Sequence, residues 1–593
     1  MHFITPILAC IVCTNAASST IPPAAVTDIR YEITADSAAL GARRFVVVTT
    51  FRVASVKPVR LALPAWLPGA YELIWFAREV SNFSAESNAA RLEWRKVDPQ
   101  TWEVIPARAG TVRISFDYAV EGIPRSNASA SEDFAYFSGA PFLYPEGQSF
   151  AWPAHVSILT ERDWRVASDM KAGDAANTFV ATNYHDLVDA PFYIGRFDFD
   201  SSRAGNRWLR FAAHPRGTIT AARRDETMRL FEGLIREDST IFGHVPFRNY
   251  TVFLVADSGI QGGGIEHQNS QVSAMRPGLL DSRDMRVLYS HELFHAWNVK
   301  RLRPRAMVPY RYDTSQPTSL LWISEGVTEY YAVVTLSRSV PADSSIAPEY
   351  LARWIFLSEA GPPTALGDAS LSTWIEGPGV YYPKGALAGF LIDVMIRSSS
   401  NNAHSLDDVM RQLYANAVKT GQGFTRDDWW SAVARNAGGA QAEERFREFA
   451  RRYIDGRDAM PIDSIFALAG LAVERRVVPD SRSPGKTRRV LRVVPLPSAS
   501  EKAIRIRRSM FLLRSAMIDT IPQLERAFDA VSVGNQMNPT SFGELRQCES
   551  SRYRPLLCEL RNQTLISSSD RDSGNEFLCK PSRSSYPRRG ECL

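Results

Sequence analysis

A multidomain α+β chain is predicted by three observations. Between about residues 27 and 200, apolar and polar side chains alternate with a period of two, broken by Pro and Gly. From about residue 218 to residue 467 the period becomes that of amphipathic helices, interrupted by a short pair of strands. At 593 residues the chain is also too long for one domain. The expected order is an N-terminal β-sandwich-like domain, a mainly helical domain with a small sheet, and a C-terminal segment of weak pattern.

The elements follow from local signals. Residues 1–18 look like a signal peptide, because an apolar stretch from Phe3 to Cys13 precedes the small residues Ala16 and Ala17. The Lys or Arg that usually opens such a segment is missing. Ile7-Leu8-Ala9-Cys10 resembles a bacterial lipoprotein box only faintly, since the apolar run before Cys10 is short. The β domain is placed at 19–205. Ile29, Tyr31 and Ile33 alternate with polar neighbours, residues 45–53 are rich in β-branched side chains, and Val112, Ile114, Phe116, Tyr118 and Val120 alternate again.

The helical domain is placed at 206–467. Residues 220–242 form one amphipathic helix, 250–256 a strand, 261–264 a Gly-rich turn and 265–272 a second strand. Asp281 or Ser282 caps a helix that stops before Pro304. Further helices are expected at 324–336, 384–397, 406–415 and 426–434. Past residue 467 a strand at 490–494 and a short helix at 521–531 are expected. Residues 534–593 are rich in Ser and Arg with little periodicity and read as irregular or disordered.

Composition narrows the classes. Apolar residues make up 45% and charged residues 22% of the chain, as in ordinary globular proteins. After the N-terminus no run of about 20 apolar residues suggests a membrane span. The net charge is +5, but residues 466–593 hold 22 Lys+Arg against 13 Asp+Glu, a balance of +9 that leaves 5 − 9 = −4 elsewhere. The basic excess thus lies in the tail and gives no reason to expect nucleic acid as a partner. Of the 6 cysteines, two lie in the first thirteen residues and four in the last fifty. A metal site in the body of the chain must therefore use His and carboxylate ligands.

The run Ser290-His291-Glu292-Leu293-Phe294-His295 contains H-E-x-x-H. On a helix, residues four apart share a face, so His291 and His295 can reach one zinc ion with Glu292 beside them. A third ligand is needed, leaving one position open. Downstream, Ser324-Glu325-Gly326-Val327-Thr328-Glu329 offers Glu325, with Glu329 one turn later as either a hydrogen-bond acceptor for a ligand His or a solvated carboxylate. H-E-x-x-H alone recurs by chance. The downstream carboxylates weigh against chance here, as does the scarcity of His, with only 9 in the chain. Lys300, Arg301, Arg303 and Arg305 read as cations placed favourably at a helix C-terminus.

The chain resembles the M61 family of metallopeptidases, the glycyl aminopeptidases, gluzincins related to the M1 aminopeptidases. Residues 291–304 read H-E-L-F-H-A-W-N-V-K-R-L-R-P, similar to that family's segment at the metal helix. Residues 64–71, P-A-W-L-P-G-A-Y, followed by F-A-R at 76–78, resemble its N-terminal motif. Residues 263–270, G-G-I-E-H-Q-N-S, and 381–386, Y-Y-P-K-G-A, resemble two more. The likeness covers roughly residues 25–475.

The resemblance implies a thermolysin-like catalytic domain with one zinc per chain, held by His291, His295 and Glu325. It implies that Glu292 assists attack by a zinc-bound water and passes the proton to the leaving amine. Tyr382 would donate to the oxyanion, with Tyr381 as the neighbouring alternative. Glu266 would bind the free α-ammonium of a peptide, with Gly263 and Gly264 letting the substrate main chain approach and His267 contributing a donor. The expected function is a zinc aminopeptidase, periplasmic or secreted, releasing Gly and Ala from peptides with a free N-terminus. The alternatives are a zinc endopeptidase on the same scaffold and a non-catalytic binding protein. The family commonly ends in a PDZ domain. Residues 468–533 match one only in degenerate form, and the Arg-, Ser- and Cys-rich stretches near 495–515 and 534–593 are consistent with a shifted reading frame.

Overall fold

A computed structural model of the protein describes residues 25–120, 128–204, 206–260, 262–340, 345–373, 377–479, 486–511 and 533–534. The expected signal segment, the helix at 521–531 and nearly all of the tail lie outside the described residues. Among those described, no helix is long and apolar enough to cross a membrane.

The N-terminal part is β-rich. Val26–Thr34 pairs antiparallel with Arg44–Val53, which pairs antiparallel with Gly110–Ala119. These strands are central in an eight-stranded sheet among the described residues. The alternation seen in the sequence is the reason: Ile29, Tyr31, Ile33, Val112, Ile114, Phe116 and Tyr118 are all buried on one face. Two four-stranded sheets cover that face. Phe45 meets Phe137 of one at 5.2 Å between ring centroids, and Phe83 stacks on Trp102 of the other at 5.0 Å. The sandwich-like expectation is thus met by one large sheet against two small ones.

The boundary at residue 205 needs correction. Asp198–Ala204 pairs antiparallel with Arg207–His214, which runs parallel to Asn249–Ala256. Residue 198 therefore already belongs to the five-stranded sheet of the peptidase part. That sheet continues through Ser270–Met275 to Gly263–Glu266 at its edge. The expected single strand at 265–272 is instead a hairpin: His267 N–H donates to the Ser270 carbonyl at 2.9 Å, closing a tight turn.

Helices pack on this sheet. Ala221–Phe242 starts where Thr220 accepts from the Arg223 N–H, and ends at Gly243 in the left-handed region. Arg283–Phe294 is capped by Ser282, whose side chain accepts from the Met285 N–H. Trp322–Val327 is a π-helical turn that runs into the α-helix Thr328–Ser339. Pro383–Ser399, Leu406–Thr420 and Arg426–Asn436 follow, each longer than expected at its C-terminal end.

The described part of 468–533 does not stand apart as a PDZ-like unit. Leu471–Pro479 and Thr487–Pro495 form a hairpin, and Glu501–Phe511 a helix, all joined to the helical body. Ile506, Met510 and Phe511 lie in the main core. Arg338 Nε donates to the Met510 carbonyl at 2.9 Å, and Lys502 Nζ to the Ser398 carbonyl at 2.9 Å. A shifted frame gives no reason for an apolar helix face that fits this core, so residues 501–511 argue against that origin for their stretch.

Candidate metal centre

His291 lies in the last turn of its helix and His295 at the helix C-cap, so their rings share a face. Their Nε2 atoms are 3.0 Å apart, and each is 3.5 Å from Glu325 Oε2. Zinc–ligand bonds of ~2.0–2.2 Å in tetrahedral geometry place neighbouring donor atoms about 3.3–3.5 Å apart. The three donors are therefore spaced like one face of a zinc tetrahedron. The chemistry of the set fits as well: two imidazoles and one carboxylate, all buried.

The far nitrogen of each imidazole is engaged, which leaves Nε2 to face the centre. His291 Nδ1 lies 3.1 Å from Glu329 Oε2, and His295 Nδ1 donates to the Asn298 carbonyl at 2.7 Å. Glu329 is only 3% exposed, so the reading as a solvated carboxylate is excluded by burial. Asn298 has a second task that its sequence context did not reveal. Its Nδ2 donates to the Ile323 carbonyl and to Thr328 Oγ1, both at 3.0 Å, clamping the π-turn that carries Glu325. π-Turns often occur at functional sites because they re-aim a side chain.

Two glycines bring Tyr382 alongside. A Cβ on Gly326 would lie 2.4 Å from the Tyr381 carbonyl and 2.6 Å from Gly385 Cα. Only glycine allows the π-turn and the helix Pro383–Ser399 to approach this closely. Tyr382, at that helix's N-cap, is half-buried with its ring centroid 5.8 Å from that of His291. Tyr381 is fully buried behind it, so Tyr382 is the one that faces the metal ligands.

Glu292 is buried beside the histidines. Burial pushes its carboxyl up to about 7, against the pull of His291 and His295. Glu266 stands opposite on the edge strand, buried, and one oxygen from each of Glu266 and Glu292 falls within 4.8 Å of His295 and of the other. Gly264 and Glu266 share the face of the strand that looks at Glu292. A Cβ on Gly264 would lie 2.3 Å from Glu292 Oε1, so the glycine is what makes room for that carboxylate. His267 does not turn toward this group: it is buried with Nδ1 3.8 Å from Asp189 Oδ1.

The basic run is not a set of cations at a helix end. The helix closes at Phe294, and Lys300 is buried, with Nζ donating to Asp189 Oδ1 at 2.8 Å. Burial opposes charge on Asp189, but Lys300 and His267 hold its carboxyl well below the usual range. Asp189 also accepts from the Gln268 N–H at 2.6 Å. Arg301 donates to the carbonyls of Gln268, Ala296 and Pro246 and to Asn269 Oδ1. Lys300 and Arg301 thus fasten the hairpin turn that follows Glu266.

Tyr71, in the N-terminal part, was not given a role by its motif. Its hydroxyl donates to Glu325 Oε1 at 2.5 Å and lies 3.4 Å from Glu266 Oε1. The signal that points to it is the P-G-A-Y segment of the N-terminal motif.

Residues 30–196 match the model of the peptidase M61 N-terminal domain, and residues 284–387 match that of the M61 glycyl aminopeptidase. A solved aminopeptidase N family protein from Idiomarina loihiensis is similar at 24% identity and a TM-score of 0.70, over 77% of this chain and 80% of that one. A mutant M1 zinc metallopeptidase from Deinococcus radiodurans, bound to a Tyr-Ser-Ala substrate, matches at 18% identity and a TM-score of 0.47, over 74% of this chain and 95% of that one. A comparison with curated proteins found no match.

Proposed function

We propose that the chain, which matches the M61 N-terminal and glycyl aminopeptidase models over residues 30–196 and 284–387, is a metallo-aminopeptidase that releases small N-terminal residues, Gly and Ala, from peptides by a zinc-dependent hydrolysis. Zinc bound by His291, His295 and Glu325 would polarise the scissile carbonyl and lower the pKa of water. Glu329 fixes the tautomer and orientation of His291, and the Asn298 carbonyl those of His295.

Glu292 takes the proton of the attacking water and gives it to the leaving amine. A carboxyl raised toward neutral pH by burial suits both halves of that transfer. Tyr382 donates a hydrogen bond to the carbonyl oxygen as it becomes an oxyanion, a contribution of about 2.7–4 kcal/mol for one such donor. The edge strand Gly263–Glu266 offers its free side to an extended peptide main chain.

The observation that carries the exopeptidase reading is Glu266. Its buried carboxylate sits with Glu292 and His295, one residue's length from the metal ligands, where an α-ammonium would meet it. An internal peptide bond would leave that carboxylate unpaired, which disfavours endopeptidase action. The test is a panel of aminoacyl-naphthylamides and their N-acetylated counterparts, with and without a chelator. Chelation should abolish activity, and free amines should be strongly preferred. If the wild type cleaved blocked and free substrates equally fast and Glu266→Ala changed neither rate, the zinc endopeptidase reading would replace this one. Export through the segment at residues 1–18 is part of the same proposal, and N-terminal sequencing of the mature protein checks it.

A further inference from the structure

The N-terminal part sends one loop into the site, and its shape is set by its residues. The Ala70 N–H donates to the Leu67 carbonyl at 3.0 Å, with Pro68 and Gly69 between them. Gly69 has φ +97°, which marks a type II turn with Pro and Gly at their preferred positions. Gly69 lies against Glu266: a Cβ there would be 3.0 and 3.2 Å from the two carboxylate oxygens and 3.2 Å from Ile265 Cγ2. The chain then turns again at Tyr71, whose φ of 58° is unusual for a bulky side chain. Trp66 anchors the loop, with Nε1 donating to the Arg311 carbonyl at 2.5 Å. The result is a tyrosine hydroxyl bridging Glu325 and Glu266.

From this geometry we infer that residues 68–71 wall the subsite for the substrate's first side chain, with Tyr71 as the residue that limits its size. The inference rests on the proposed aminopeptidase reading, in which Glu266 holds the α-ammonium and the metal centre holds the scissile carbonyl. Only one Cα separates those two groups in a peptide. That Cα must therefore lie between Glu266 and Glu325, the same span that the Tyr71 hydroxyl bridges. A side chain leaving the Cα toward the N-terminal part meets the Tyr71 ring and the flat Gly69 turn. Hydrogen or methyl fits against that wall, whereas a branched four-carbon chain must displace it. Tyr71 is a specificity-determining residue in this reading, and the N-terminal part carries the size filter.

The experiment compares kcat/KM for Gly-, Ala- and Leu-naphthylamide in the full-length zinc-loaded protein and in Tyr71→Ala. The Leu-to-Ala ratio should rise by about tenfold or more, the scale of discrimination that a few methylenes in a pocket provide. Calorimetric binding of free L-leucine and L-alanine gives a second readout without turnover, and the same preference should shift there. Tyr71→Leu keeps apolar bulk at the position and should move the ratio the same way by less; it stands in if Tyr71→Ala does not fold. A wild-type enzyme that releases no N-terminal residue would end the aminopeptidase reading itself. A wild-type enzyme with the expected activity, and variants in which all three substrates change in parallel, would overturn this inference alone.

Discussion

Adding one methyl group at Gly264 should silence Glu292 without unfolding the protein. The backbone there is ordinary strand, paired with Ser273, so alanine suits its conformation. The difficulty is space: the new Cβ would lie 2.3 Å from Glu292 Oε1, 2.4 Å from Cδ and 2.5 Å from Cγ. Carbon atoms in contact sit about 3.5–4 Å apart, so the side chain must retreat by about 1 Å or more. All three atoms belong to one flexible side chain, which holds the stability loss within the usual overpacking range of about 1–3 kcal/mol. The activity loss should be far larger. A general base contributes about 10²–10⁴-fold, and a 1 Å displacement alone can cost about 10²-fold. The assay is kcat on Ala-naphthylamide for wild type, Gly264→Ala, Glu292→Ala and the double variant, with zinc content and thermal melting measured on each. Gly264→Ala should lose about 10²-fold or more in kcat, keep its zinc, and add almost nothing to the loss in Glu292→Ala, because both act on one group. A single variant with near wild-type kcat, or a double variant much worse than Glu292→Ala, would refute the argument.

Glu329→Ala should weaken zinc binding by about 10–100-fold, because His291 loses the partner that orients it; titration against a competing chelator measures this. Lys300→Met should destabilise the fold by about 3–5 kcal/mol by leaving Asp189 buried without its cation, and chemical denaturation shows it. Asp169 is half-buried, and its desolvation raises its carboxyl from 3.8 to about 6, against His267 and a hydrogen bond from Ser270. The folded state therefore holds this proton more tightly than the unfolded state. Stability is lost as pH rises from about 4 to 6, by about 3 kcal/mol for a shift of about two units. Asp169→Asn, which still accepts from Ser270, should match wild type near pH 4 and exceed it at pH 8; equal stability at both would count against the shift.

What the sequence made legible was local. Asp281 or Ser282 was expected to cap the metal helix, and Ser282 does; the helix expected over 220–242 starts after Thr220, which caps it. The four-residue spacing of His291 and His295 needed nothing beyond helix geometry to be read. The hairpin at 263–275 was missed because its turn, His267-Gln268-Asn269, holds no Gly or Pro to interrupt the apolar alternation. Lys300 was misread because helical periodicity cannot show that the chain leaves the helix at Phe294 and buries its next cations. The strand at 198–204 was assigned to the wrong part because alternation reports a strand but not its sheet. Tyr71 lay furthest from reach: its partner Glu325 is 254 residues away, and only tertiary structure joins them.

The same distance explains why this site behaves as shared property. Within the peptidase part Glu329 and the Asn298 carbonyl hold the two histidines and Asn298 clamps the π-turn of Glu325, while Tyr71 of the N-terminal part adds a hydrogen bond to Glu325. Glu266 is placed differently. Its edge strand ends in a turn whose Gln268 N–H and Lys300 both bond Asp189, a residue of the N-terminal part, while Gly69 and Tyr71 press on its carboxylate from the same side. The two histidines and Glu266 thus rest on separate supports, and Tyr71 touches both Glu325 and Glu266. A disturbance of the contact between the two parts should therefore reach Glu266 first. It should raise KM for free-amine substrates and blur their size preference while zinc affinity falls less, whereas a disturbance at Glu329 or Asn298 should weaken zinc binding first.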